Sequence, residues 1–179
     1  MMKRILTMKI PALALCISIL ALSLAPYAQT VEVTIFETPP VLGSVQAQSS
    51  ELVISGVLDG LFETGFIGTN ARPVSGDDTA FMSFVPGVDE KEGRVDFVIV
   101  ILARYPGTEP VPACDFRLIR VSDGLELVRG SVPPVIPTSK SFKDIEKACS
   151  VVGVAITAGC TAALRGLSAS RRSYAQEEA

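Results

Sequence analysis

Few residues in this 179-residue chain are of types that do chemistry, and their spacing narrows the choice further. Histidine is absent. Its absence removes Ser-His-Asp and Cys-His catalysis, histidine-ligated zinc and imidazole acid–base work. The nucleophiles that remain are thiols. Of 4 cysteines, Cys16 sits in an apolar leader, and Cys114, Cys149 and Cys160 lie beyond it. Three thiols without histidine make an incomplete set for zinc, so a disulfide is the simpler reading. Asp77-Asp78 beside Gly76 has the composition of a solvated turn rather than a cation site. Asp89, Glu90, Glu92 and Asp96 form the densest acidic run, but Lys91 and Arg94 interrupt it and the spacing is not that of a calcium loop. Arg171-Arg172 is a lone basic pair in a polar tail. No phosphate loop, dinucleotide fingerprint or nucleophile elbow occurs. The chain is therefore expected to be no enzyme, with no catalytic residue, cofactor or metal.

Residues 1–28 say where the protein goes. Lys3, Arg4 and Lys9 make a basic start without acids, and Ala12–Leu24 is an uncharged apolar run too short to span a bilayer. Ala25-Pro26-Tyr27-Ala28 provides small residues to cut after. This is the layout of a secretory signal, cut here after Ala28 in preference to Ala25, which would leave Pro26 first. Leu15 is too large for the position before a lipidated Cys16. The remainder, about 151 residues (179 less 28), is one domain of ordinary size. Three of the 16 basic residues leave with the leader and none of the 19 acids does, so 13 against 19 gives a net −6. That balance argues against nucleic acid and anionic membrane surfaces as partners. Asn70, the only asparagine, is followed by Ala71-Arg72 and is no glycosylation acceptor.

The elements that must carry these residues follow from periodicity. Val31, Val33 and Ile35 alternate with Glu32 and Thr34, which predicts a strand over 30–36. Pro39-Pro40 ends it, and Val41–Gln48 reads as a loop. Ser49 or Ser50 can cap a helix whose apolar stripe is Ile54, Val57, Leu58, Leu61 and Phe62, with Ser55, Asp59 and Glu63 opposite. Gly65 ends the helix in the left-handed region. Gly56 and Gly60 within it are read as close packing of helix on sheet rather than as a helix-pairing motif. Phe66–Val74 reads as a second strand. Ala80–Val85 is a short strand or a single helical turn, and Pro86–Arg94 a charged loop. Phe97–Ala103 is apolar without alternation, so it belongs at the sheet centre with both faces covered.

Cys114–Val121 and Leu125–Val132 flank Asp123-Gly124 as a hairpin. A two-residue loop would oppose Arg120 to Leu127 and Val121 to Glu126. A three-residue loop, Ser122–Gly124, pairs Val121 with Leu125, Ile119 with Leu127 and Arg120 with Glu126. It is preferred because its apolar face is coherent and its charges complementary.

After the Pro133–Pro137 linker, Ser141 can cap the longest helix, with Asp144 three residues on. Its stripe is Phe142, Ile145, Cys149, Val152, Ile156, Cys160, Leu164 and Leu167. Ala148–Leu164 is 17 residues without charge between Lys147 and Arg165, at the lower limit for a membrane span. Its alanines, glycines and hydroxyls favour a core helix over a tail anchor. The domain is expected over 29–167, with 168–179 a flexible polar tail. Cys114 begins the ingoing hairpin strand, and the linker returns the chain to that end of the sheet about two turns before Cys149. Cys160 lies roughly 16 Å further along. A Cys114–Cys149 disulfide is therefore expected, with Cys160 buried and reduced, contributing about 3–4 kcal/mol on the chain-entropy account.

The predicted fold class is α/β (α+β): a mixed sheet of about five strands with two helices packed on it, in the order β-α-β-(β)-β-β-β-α. Three stretches, Leu58–Phe66, Val95–Val100 and Arg117–Leu127, in that order, resemble an α/β domain of the cell envelope over roughly residues 30–165. It is the domain of the curli-secretion lipoprotein, the outer-membrane activators of penicillin-binding proteins, and the amino-terminal part of TolB. The resemblance carries no functional residue. It implies an exported protein, periplasmic or outer-membrane-associated, that binds other macromolecules such as envelope proteins or peptidoglycan-associated machinery. A small-ligand carrier and a carboxy-terminally membrane-anchored protein are the alternatives.

Overall fold

Seven successive residues from Phe97 to Ala103 are buried, and this run is the middle of the sheet. The computed structural model describes residues 29–38, 44–87 and 95–177. The leader with Cys16, Pro39-Pro40, and the acids Asp89, Glu90 and Glu92 lie outside the described residues. The strands are β1 (Thr30–Glu37), β2 (Ile67–Asn70), β3 (Val74–Ser75), β4 (Phe97–Arg104), β5 (Ala113–Arg120) and β6 (Glu126–Val132). The helices are α1 (Ser44–Glu63), α2 (Asp78–Ser83) and α3 (Phe142–Glu177). The sheet order is β2-β1-β4-β5-β6, with β3 also on β1. β2, β3 and β4 run parallel to β1, whereas β5 and β6 are antiparallel additions. The mixed α/β class is as expected, with six strands and three helices among the described residues.

Alternation sorts the side chains into two cores. Val31, Val33, Ile35, Ile99, Ile101, Phe116 and Leu118 face α1 and α3. Phe36, Val98, Val100, Leu102 and Ile119 face the short α2 and its Phe81. Each large side chain taken fully out of water contributes about 1.5–3 kcal/mol, so the covered centre of the sheet dominates the folding energy.

Several expectations need correction. α1 begins at Ser44, inside the expected loop, and Ser49 and Ser50 are buried helical residues rather than caps. Their hydroxyls have tertiary uses: Ser50 meets the Tyr105 hydroxyl at 2.6 Å, and Ser49 hydrogen-bonds Cys149. Phe62 and Phe142 are exposed rather than part of the buried stripes. The expected strand 66–74 is two edge pieces, β2 and β3, separated by Ala71-Arg72-Pro73, where proline supplies no ladder donor. Asp77 caps α2 by accepting from the Ala80 amide at 3.0 Å, which settles Ala80–Ser83 as helix. α1 does end at Gly65 (φ 86°), where Gly65 N–H donates to Phe62 and Phe66 N–H to Leu61.

The hairpin register agrees with expectation over Cys114–Leu118, where Leu118 faces Val128 and Cys114 faces Val132. A bulge between Leu118 and Ile119 then shifts it. Ile119 faces Glu126, and the Arg120 amide donates to Leu125. Arg120 therefore does not pair with Glu126; it takes Asp123 in a two-pronged contact at 2.9 and 2.6 Å. Glu126 instead holds Arg117 at 2.6 Å and Arg129 at 2.8 Å.

α3 starts as expected at a Ser141–Asp144 box, with the Asp144 amide donating to Ser141 Oγ at 3.2 Å. Ile145, Cys149, Val152, Ile156, Cys160 and Leu164 are buried, so the stripe lies in the core although Phe142–Gly166 is long and apolar enough to cross a membrane. The helix continues to Glu177, through the residues expected to form a tail.

α1 and α3 touch through glycine. A β-carbon on Gly56 would stand 2.6 Å from the Ser150 carbonyl oxygen, and one on Gly153 only 2.4 Å from that of Val53. Gly60 faces Thr157. The Gly56/Gly60 spacing is thus a helix-pairing motif, not the helix-on-sheet contact expected of it.

Candidate functional site

The side chains with chemical potential are first to be placed. Cys114, Cys149 and Cys160 are free thiols and all buried. The expected Cys114–Cys149 bond is not formed, although the two lie close enough for the charge on one to disfavour ionising the other. Burial pushes the Cys149 thiol up to about 11 and Cys160 up to about 12, and raises Cys114 further in the same direction. A thiol so placed is protonated at neutral pH and behaves as a small apolar side chain.

Asp78, beside the capping Asp77, pairs with Arg104, which also holds Asp115. The Asp115 contact is the main cause that raises the Arg104 pKa. Asp96, the described member of the acidic run, accepts from the Thr30 amide at 3.0 Å and ties β1 to β4. Among the described residues, no three cysteine, aspartate or glutamate side chains converge as a metal site.

Tyr105, just past β4, anchors a buried polar cluster. It donates to the Gln46 carbonyl at 2.6 Å and so accepts from Ser50. Burial raises its pKa, so the phenol stays neutral. Gln46 in turn donates to Glu109 at 3.3 Å. The cluster fastens the start of α1 to the β4–β5 loop.

The remaining site is a surface, which the helix pair positions. Over the Gly60/Thr157 contact lies an open groove of about 300 Å³, lined by Gly60, Glu63, Thr64, Val154, Thr157, Ala158 and Thr161. α3 turns an uncharged face outward here: Val151 is 48% exposed and Val154 42%, with Ala155, Ala158 and Ala162 also exposed. On α1, Phe62 is 82% exposed. Apolar side chains held together in water by a rigid helix pair can bind another apolar surface. The sequence signals were present: the uncharged run Ala148–Leu164 is longer than one buried stripe requires, and Gly153 supplies the other half of the glycine contact.

The fold is a mixed α/β sheet with two helices on one face and a short helix on the other. No family model matches the chain, and no curated protein matches it. Solved structures are alike in fold at low identity. A lipoprotein from Neisseria meningitidis is 18% identical over 69% of this chain and 93% of that one, with a TM-score of 0.44. The PelC dodecamer from Paraburkholderia phytofirmans is 17% identical over 75% of this chain and 90% of that one, at 0.43. TolB from Acinetobacter baumannii is 15% identical over 75% of this chain but only 29% of its own length, at 0.40. TolB is one of the proteins that the sequence resembles, and the likeness is one of fold alone.

Proposed function

We propose that the protein is an exported, non-catalytic binding or assembly protein of the cell envelope, periplasmic or outer-membrane-associated. The observation that carries the binding role is the division of its side chains. The thiols are buried and protonated, while Val154 at the groove and Val151 one turn before it on α3 stand exposed. Export is supported by the basic, apolar and small-residue layout of residues 1–28. The mildly acidic surface favours protein or peptidoglycan-associated machinery over nucleic acid as the partner.

A small-ligand carrier is the second reading, favoured by the groove itself. At about 300 Å³ the groove is at the lower end of ligand-site volumes, and it is open rather than enclosing, so a macromolecular surface fits it better. Crosslinking in cells, followed by pull-down from envelope fractions, tests the assignment. Specific protein adducts support it. A chain that stays in the cytoplasm, or one that carries a stoichiometric small molecule in native mass spectrometry without protein adducts, overturns it.

A further inference from the structure

The chain between β6 and α3 reads Val132-Pro133-Pro134-Val135-Ile136-Pro137, and its burial repeats every third residue. Val132 and Val135 are partly buried and pack on the core beneath the helices. Pro133, Pro134 and Ile136 are exposed, Ile136 at 90%. We propose that this segment is a docking site for a partner protein that reads a polyproline II chain in an aromatic-lined groove. It adds a second contact to the assembly reading, on which it rests for its biological role. The contact is separate from the helix groove: Phe142, where α3 begins, lies about four turns before Thr157, roughly 22 Å along the helix.

Proline dictates the conformation. Pro133, Pro134 and Pro137 have φ held at about −65°, and Pro133 and Ile136, each before a proline, are kept extended. Only Val135 is free of both constraints. The segment is accordingly neither helix nor strand, and among the described residues no hydrogen bond uses the main chain of 133–137. A polyproline II helix has three residues per turn, so side chains three apart share a face. That places Val132 with Val135, Pro133 with Ile136, and Pro134 with Pro137. The first face is anchored on the core, and the other two are turned outward, with partial cover on Pro137 alone.

Two dipeptides of an apolar residue and a proline result, Pro133-Pro134 and Ile136-Pro137, with Val135 between them. A groove with two aromatic-walled slots takes one dipeptide in each, with Pro134 and Pro137 about 9 Å apart. The residue between the dipeptides must point away from such a groove. Here it is Val135, the one held by the protein's own core, so the groove can close on the linker without detaching it. The chain is already rigid and has little conformational entropy left to lose on binding. β6 is the last strand in the sheet order, so the linker leaves from an open edge. Lys140 and Lys143 are exposed just beyond it, which suits a groove with acids at that end. A linker that only spaces β6 from α3 accounts for the prolines but not for Ile136 held almost fully in water.

A photocrosslinking residue at Thr138, which is exposed and outside both dipeptides, tests the contact in the native host. Adducts should form with one protein, at a peptide of that protein containing tyrosine, tryptophan or phenylalanine. Pro134→Ala, Pro137→Ala and Ile136→Asp should each lower the adduct yield about 5-fold or more, with far-ultraviolet circular dichroism unchanged. Val154→Asp, at the helix groove, should leave the yield as it is. No adduct, adducts scattered over many proteins, a contact peptide without aromatic residues, or a yield indifferent to the three variants overturns the proposal. So does a yield that falls with Val154→Asp and not with Pro134→Ala, which assigns the partner to the groove. Adducts at Val154 with none at Thr138 leave the assembly reading standing and remove this contact alone. A proline-dependent Thr138 adduct on a cytoplasmic chain does the reverse.

Discussion

Thr157 of α3 donates its hydroxyl to the main-chain carbonyl of Val57 in α1 at 3.0 Å. A side chain can reach another helix's backbone this way only when the helices are very close. Gly56, Gly60 and Gly153 provide that closeness, and the groove with its exposed valines begins at the same contact.

Gly153→Ala should therefore destabilise the protein. Its new methyl would sit 2.4 Å from the Val53 carbonyl oxygen and 2.6 Å from the Val57 amide, so the helices must separate. Overpacking of this kind costs about 1–3 kcal/mol, read as a lower urea midpoint with an unchanged slope. Thr157→Val, which keeps the shape and loses the hydroxyl, should cost about 1 kcal/mol. An unchanged midpoint for Gly153→Ala would show that the helices do not approach as described.

Arg117 holds the other face together. Its guanidinium donates to the carbonyls of Phe81 at 2.6 Å and Met82 at 3.1 Å at the end of α2, and it pairs with Glu126. Arg117→Met should cost about 2–3 kcal/mol, since it strands two carbonyls at once and leaves Glu126 with Arg129 alone. Amide hydrogen exchange should show α2 opening before the rest of the sheet. Equal protection of α2 in the variant and the wild type would remove Arg117 from this role.

Acid should loosen the hairpin. Hydrogen bonds from Arg129, with help from Arg117, hold the Glu126 carboxyl down to about 2, and Arg120 holds Asp123 down to about 2. A carboxyl with a depressed folded-state pKa stabilises the fold above its unfolded value, near 4.5 for Glu126, and that contribution is lost as pH falls towards 2. Stability should thus decline from about pH 5 downward. Glu126→Gln should make the decline shallower, and an identical acid limb in that variant would contradict the assignment.

The thiols offer a chemical test of burial. Native protein at pH 8 should resist iodoacetamide, because Cys149 and Cys160 titrate only near 11 and 12 and all three are buried. In urea without reductant all three should be alkylated. A single labelled cysteine would show that two of the three have joined in a bond that the structure does not contain.

How much of this was legible in the sequence depends on how local the cause is. The β4 strand was legible because seven consecutive apolar residues need cover on both faces, and nothing distant changes that. The hairpin was legible as far as Leu118. The shift beyond it accompanies Glu126 being taken by Arg117, whose other partners lie on α2, far off in sequence. Ser49 and Ser50 have the composition of caps, and only the arrival of Tyr105 and Cys149 makes them interior residues. Gly56 and Gly60 announce a close approach without naming what approaches; α3 rather than the sheet does so. The surface site was the least legible part. A stripe rule marks Phe62 as buried, whereas the helix turns it into water.

The central claim is that the protein works in the cell envelope by contact through its outer helix face. The most direct measurement places a photocrosslinking residue at Val154 in the native host and analyses the envelope fraction by mass spectrometry. The account predicts protein adducts at Val154 on a chain whose amino terminus lies at or near Gln29. A soluble cytoplasmic chain that retains Met1 and gives no protein adduct at Val154 would contradict it.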